Sequence, residues 1–372
     1  MKDQPSIGAA SPRLPAHISG LAEPGKTRPT PIQAQSLGPL LQGRSLVGVA
    51  QTGSGKTLAY ALPMLHQLKT AENAGSMVSQ PGRPRGLVLT PGRELGEQVS
   101  KVFKSLTHAC RLRVRTVIGG SKKAVARQNV KGNFEVLVAT PGRLVQLLKS
   151  GELNLDDIRT VVFDEADQVL DPGFLPVIKT VIQACPPQAQ LMFFSATLPK
   201  NVEKVVRGLF TKPPMMLRTK GSHQVVRTLA TDNRIVRNGE RFPILRSVLT
   251  SGPKVGTILF ANTRDQCNKV AEWLAQEGFA CVDLRGEMDR SERRANLAKF
   301  RTGEVDLMLA TDLGGRGLDI ERVQRVINVH LPTDVHNYLH RVGRTARAGR
   351  SGTVVNLVTE RDQALMDRLK QD

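Results

Sequence analysis

The chain has 372 residues, enough for two domains of ordinary size, and 40% hydrophobic content supplies their cores. No apolar run is long enough to cross a bilayer, and Met1–Ala10 holds no hydrophobic stretch of the signal-peptide kind, so a cytoplasmic location is expected. Against 33 Asp and Glu stand 53 Lys and Arg, a formal charge of +20 that favours a polyanionic partner. No segment sets Lys and Arg opposite an aromatic-apolar helical face, which argues against an anionic membrane as that partner. Aromatic residues are only 4% of the chain, so it is better supplied for gripping phosphates than for stacking bases. Cys110, Cys185, Cys267 and Cys281 are scattered without a C-x-x-C pair and read as reduced thiols.

In chain order, residues 1–27 form a Pro-, Gly- and small-polar-rich arm. Thr30-Pro31-Ile32-Gln33 reads as a helix start, with Thr30 as N-cap, Pro31 at the first helical position and Gly43 ending the helix. That reading leaves Gln33 unexplained; its amide matches the N6/N7 edge of adenine. Candidate strands follow at Ser45–Ala50, Gly86–Thr90, Val114–Ile118, Glu135–Ala139, Thr160–Phe163 and Gln190–Phe194, alternating with helical patterns, which predicts βαβ units and a mostly parallel sheet. Thr70–Arg85 reads as a surface loop. The alternation breaks between Lys212 and Gly239, where the interdomain linker is placed. A second series runs through Val255–Ala261, Ala280–Leu284, Val305–Ala310, Arg325–Leu331 and Thr353–Val358, and residues 360–372 read as a short terminal helix. The expected organisation is an arm (1–27), a first α/β domain (28–212), a linker (213–239), a second α/β domain (240–361) and a short tail (362–372).

Two segments carry chemistry together. In Ala50-Gln51-Thr52-Gly53-Ser54-Gly55-Lys56-Thr57, the glycines let the backbone N–H groups of a strand-to-helix turn face one oxyanion. Lys56 adds charge at the β/γ-phosphates, and the Thr57 hydroxyl suits magnesium. Asp164-Glu165-Ala166-Asp167 follows another buried-strand pattern. Asp164 suits magnesium, and Glu165 suits orienting and deprotonating the attacking water. Each segment has a plain structural alternative, a glycine-rich turn or a helix-capping acidic pair, but both in this order point to a nucleoside triphosphatase. The second domain has no such loop. Its His340–Arg347 segment holds three arginines, either as a basic surface patch or with Arg344 and Arg347 acting as arginine fingers on the γ-phosphate.

Over roughly residues 25–358 the chain resembles the DEAD-box ATP-dependent RNA helicases, especially compact bacterial members. The motifs stand in the family's order: Pro29–Gln33, Ala50–Thr57, Pro91-Gly92-Arg93-Glu94-Leu95, Gly119-Gly120, Thr140-Pro141-Gly142-Arg143, Asp164–Asp167, Ser195-Ala196-Thr197, Phe260-Ala261-Asn262-Thr263, Ala310-Thr311-Asp312 to Arg316-Gly317-Leu318-Asp319, and His340–Arg347. The resemblance implies two tandem RecA-like domains joined by a flexible linker, with ATP and Mg2+ in the cleft and RNA across another face. It implies that Gln33 reads adenine and that Thr52, Gly53, Ser54, Gly55, Lys56 and Thr57 hold the nucleotide. Asp164 and Glu165 would serve magnesium and water, and Asp319 the ribose. Arg344 and Arg347 would be the fingers. Ser195, Thr197, Asp167 and His340 would couple hydrolysis to strand separation, and Arg93, Gly120, Thr140, Arg143 and Thr311 would contact RNA, mainly its backbone. A monomer is expected. The chain departs from the family pattern in lacking an aromatic at Lys26, in Gly92 for threonine, in Arg290 for glutamine (Arg293 retained), and in Gly314-Gly315 for an alanine pair, which is expected to loosen its loop. Those departures motivate a minority reading, a nucleotide-switched RNA clamp with little turnover. A DNA translocase is the third reading, opposed by Gln33 and the Asp-Glu-Ala-Asp spelling.

Overall fold

The computed structural model describes residues 29–371, except Thr52, 121–122, 170–174, 199, 220–228, 238–239, 286–287, 316–319, 321 and 347–350. Apart from Gln51–Gly53, the described residues up to Thr219 form one compact unit, and those from Lys220 onward form a second.

The first unit is built on seven parallel strands, β1 (Leu46–Val49), β2 (Gly86–Leu89), β3 (Val114–Val117), β4 (Val136–Ala139), β5 (Thr160–Asp164), β6 (Gln190–Ser195) and β7 (Met215–Arg218), in the order β3-β4-β2-β5-β6-β1-β7. The central strands β1, β2, β4, β5 and β6 are buried along their whole length, which is why they read as unbroken apolar runs. Their side chains alternate between two cores. Val47, Leu87, Leu137, Val161 and Phe193 pack on one face, and Leu46, Val88, Val138, Val162 and Phe194 on the other. Helices cover both faces, so each strand delivers its C-terminal residues to a single edge of the sheet, where ligands bind in folds of this kind.

The second unit repeats the build with six parallel strands: β8 (Leu229–Ile235), β9 (Gly256–Phe260), β10 (Cys281–Leu284), β11 (Leu307–Ala310), β12 (Val323–Asn328) and β13 (Gly352–Val358). Their order is β10-β11-β9-β12-β13-β8. The Glu360–Asp362 turn and the helix Gln363–Gln371 close the chain. Among the described residues no helix is long and apolar enough to cross a membrane.

Two local expectations change. The segment 213–239 carries two strands: β7 pairs with β1, and β8 pairs with β13 over seven residues. Both are edge strands. β8 is largely exposed, so it needs no apolar pattern and gave no strand signal. The middle of the expected linker, 220–228, and the arm 1–27 lie outside the described residues. The helix Lys56–Asn73 runs into the expected loop at Thr70–Arg85, ending only before Gly75, whose φ is +86°. The helix Pro31–Leu41 starts and stops as its sequence predicts, with Gly43 at φ +77° just past the end.

Candidate active site

β1 feeds the turn Ala50–Gly55, and Gly53 and Gly55 take φ of +80° and +85°, a left-handed conformation open to glycine. Gly55 is also the N-cap of the helix Lys56–Asn73, and no side chain caps that terminus, so its N–H groups are left for an anion. Lys56 Nζ donates to Ala50 O at 2.7 Å, folding the lysine over its own loop. Thr52 lies outside the described residues.

Gln33 is tied at both ends. Its Oε1 accepts from Thr30 N at 3.0 Å, and its Nε2 donates to Gly55 O at 3.1 Å. The first bond is half of a capping box, so the helix start does explain Gln33. The Thr-x-x-Gln spacing was legible in the sequence. The second bond locks this helix onto the phosphate loop so closely that a Cβ on Gly55 would stand 2.4 Å from Gln33 Nε2.

β5 ends in Asp164, and the chain turns at once through Glu165, which has a φ of +48°. Asp164, Glu165 and Asp167 are all buried. Asp164 Oδ1 accepts from Glu165 N at 2.9 Å, and its Oδ2 accepts from Tyr60 Oη at 2.7 Å. Burial pushes the Asp164 carboxyl up to about 6, against the Lys56 charge and the Tyr60 hydrogen bond, which both favour the ionised form. Asp167 Oδ2 accepts from both Thr197 N (3.3 Å) and Thr197 Oγ1 (2.8 Å), joining the acidic segment to the end of β6. Four buried side-chain oxygens here lack a hydrogen-bond partner: Thr30 Oγ1, Ser54 Oγ, Glu165 Oε2 and Ser195 Oγ. Unpartnered buried oxygens around an uncapped helix N-terminus, a lysine and a carboxylate fit a polyphosphate with its cation.

The raised Asp164 pKa is a stability statement. Below about pH 4 both folded and unfolded chains hold this proton and no penalty exists; it builds as pH rises through about 6. Asp164→Asn is therefore expected to stabilise the nucleotide-free protein by about 1–3 kcal/mol at pH 7 and by little at pH 4. Urea unfolding at the two pH values checks this.

On the same sheet edge, the ends of β2, β3 and β4 enclose a concavity of about 420 Å³ lined in part by Gly92, Arg93, Gly119, Thr140, Arg143 and Gln146. Two helices, Arg93–Cys110 and Pro141–Lys149, start at this concavity, and neither N-cap side chain bonds its own helix. Thr140 Oγ1 instead accepts from Gly119 N at 3.0 Å, pinning two motifs together. Gly120, at φ +77°, leaves 2.8 Å between its missing Cβ and Arg93 Nη1. Four of the five residues expected to contact RNA thus converge. The fifth, Thr311, belongs to the second unit, where its Oγ1 accepts from Gly314 N at 3.2 Å.

In the second unit Arg341 is 1% exposed and fully engaged. It makes bonds of 2.5 and 2.7 Å to the two Asp312 oxygens, 2.7 Å to Asn262 Oδ1 and 2.6 Å to His330 O. It also lies over the Phe260 ring at 5.1 Å. Sequence reasoning gave this arginine no part. Arg344 Nε donates to the His340 carbonyl at 3.0 Å. Arg347 and Asp319 lie outside the described residues.

Residues 30–205 match the DEAD/DEAH box helicase model, and residues 240–349 match the helicase conserved C-terminal domain. The DEAD-box ATP-dependent RNA helicase RhpA of Helicobacter pylori is 34% identical over 357 residues, covering 95% of this chain and 70% of that one. The chain belongs to the DEAD-box helicase family. The ATP-dependent RNA helicase DBP2 of Debaryomyces hansenii is 33% identical over 94% of this chain, and the chain spans 65% of that relative's length. Among solved structures, S. cerevisiae Dbp5 bound to RNA and ADP BeF3 matches with a TM-score of 0.84 at 25% identity, over 96% of this chain and 91% of that one. Likeness to such structures identifies both units as RecA-like.

Against the DEAD-box pattern, the Gly314 backbone is closely packed. A Cβ there would stand 2.0 Å from Leu284 O, and Arg293 Nη2 clamps the Gly314 carbonyl at 2.8 Å. The glycine permits a close backbone approach, and alanine would not fit without a shift. At Gly92 a Cβ would meet nothing within 4 Å, so the lost threonine leaves open space beside the concavity.

Proposed function

We propose that the protein is an ATP-dependent RNA helicase: it hydrolyses ATP when RNA is bound and uses the cycle to open short duplexes or remodel RNA–protein complexes. The observation that carries this is the placement, on one edge of one sheet, of a phosphate loop with unpartnered buried oxygens and a second concavity into which two helix N-termini and two arginines open. The Asp167–Thr197 bonds link the hydrolytic segment to the Ser195–Thr197 motif, which supports the coupling role assigned to both. Gln33 spends one amide proton on Gly55 and keeps a second for adenine. Magnesium would be held by Thr57 and Asp164, supplying charge neutralisation on the phosphates. Arg344 and Arg347 serve as the γ-phosphate fingers when the two units close around ATP. The RNA grip is on phosphate and sugar, so little sequence preference is expected, and the protein is read as a monomer working in the cytoplasm.

ATP hydrolysis by the purified chain, with single-stranded RNA, matched DNA or neither, at stated salt, tests the reading. Stimulation by RNA alone supports it. Equal stimulation by DNA favours a translocase, and RNA retention without phosphate release favours the clamp. One of the clamp's two supports, Gly314, also makes room for a close backbone approach. The other makes a prediction. Gly92→Thr adds a hydroxyl at an uncapped helix N-terminus and is expected to tighten RNA binding by about 1 kcal/mol or more, roughly fivefold. A filter-binding titration against single-stranded RNA reads it.

A further inference from the structure

Tyr60 lies three residues beyond Thr57 on the helix Lys56–Asn73, so both side chains share one face of its first turns. The ring is fully buried against Phe194 and Phe103, with centroids 5.4 and 6.2 Å away. Its hydroxyl donates to Asp164 Oδ2 at 2.7 Å. A buried phenol on the phosphate-loop helix thus holds one oxygen of a carboxylate read as a magnesium holder.

A carboxylate that helps hold a cation is oriented by the hydrogen bonds its oxygens accept from neighbouring groups. The Tyr60 hydroxyl makes one such bond, to Asp164. The other carboxylate oxygen is already fixed by Glu165 N at 2.9 Å, so the carboxylate is held at both ends and its remaining lone pairs stay available.

We propose that Tyr60 is a positioning residue of the magnesium–nucleotide site, its hydroxyl tying the phosphate-loop helix to Asp164 on β5 and orienting that carboxylate for a divalent cation. This rests on the assignment of Asp164 to magnesium. The phenol touches neither cation nor nucleotide; it acts through the carboxylate that does.

The test is binding of a fluorescent ADP analogue to the full chain, in EDTA and across a Mg2+ series, for the parent protein, Tyr60→Phe and Asp164→Asn. Phenylalanine keeps the ring contacts and loses only the hydroxyl. Tyr60→Phe is expected to hold metal-free affinity within about twofold and to raise the Mg2+ needed for half-maximal tightening by about 10- to 100-fold. A merely structural hydroxyl would weaken binding equally with and without metal, or lower thermal stability alone, and either result overturns the proposal. An unchanged Mg2+ requirement in Tyr60→Phe alongside a raised one in Asp164→Asn overturns the role of Tyr60 alone. Unchanged requirements in both variants overturn the magnesium assignment and the proposal with it.

Discussion

Replacing Glu165 with Gln is expected to lower RNA-stimulated ATP turnover by roughly 100- to 10,000-fold while leaving ATP affinity within a few-fold. Glu165 follows directly on β5, is 6% exposed, and leaves Oε2 buried without a partner. A buried carboxylate oxygen with nothing to accept costs free energy, so its persistence beside the phosphate loop marks a group kept for a substrate or water. The φ of +48° at a non-glycine residue adds strain of about 1–3 kcal/mol that the surrounding structure must hold in place. Glutamine preserves the shape and one acceptor oxygen but does not take up a proton at neutral pH. Steady-state hydrolysis and nucleotide titration of the variant decide the matter. Turnover close to that of the parent would remove Glu165 from the role of base and leave it as a strained turn residue.

Replacing Arg341 with Ala is expected to destabilise the second unit by about 3–5 kcal/mol, the usual consequence of removing one partner from a buried hydrogen-bonded ion pair. The arginine is 1% exposed and Asp312 about a quarter exposed, so water only partly compensates the orphaned carboxylate, and the Asn328 acceptor stays fully buried. The loss spreads further. Arg341 Nη1 reaches Asn328 on β12, Asn328 donates to Asn356 on β13 at 2.8 Å, and Asn356 donates to Asn233 on β8 at 2.8 Å. These asparagines stand in register across three strands, so one guanidinium terminates a polar ladder in the core. Urea unfolding followed by the fluorescence of Trp273, the chain's one tryptophan, reports on this unit. A drop under 1 kcal/mol would show the ladder to be self-sufficient. Lysine in place of Arg341 is expected to rescue little, because a point charge does not satisfy the five acceptors that a planar fork reaches.

Much of the candidate site was legible because nucleotide chemistry leaves contiguous signatures. The loop Ala50–Thr57 must be consecutive so that successive N–H groups face one anion, and Asp164-Glu165 must be consecutive at a strand end. Edge strands β7 and β8 were hidden for the opposite reason, since a strand with one open side carries no obligatory pattern. Tyr60 and Arg341 were hidden as well, because each acts through partners far along the chain: Asp164 lies 104 residues from Tyr60, and Asn262 lies 79 from Arg341.

The sequence by itself determined the two α/β units, their central strands and the family, because buried parallel strands and phosphate-binding turns are written in local runs of residues. Only the tertiary structure decided what each polar side chain is committed to. It showed Gln33 bound to the phosphate loop, Gly314 making room for a backbone carbonyl, Asp164 held by a phenol and Arg341 closing a ladder. Hydrogen bonds act over about 3 Å of space without regard to separation along the chain, so such commitments exist only once the strands have come together.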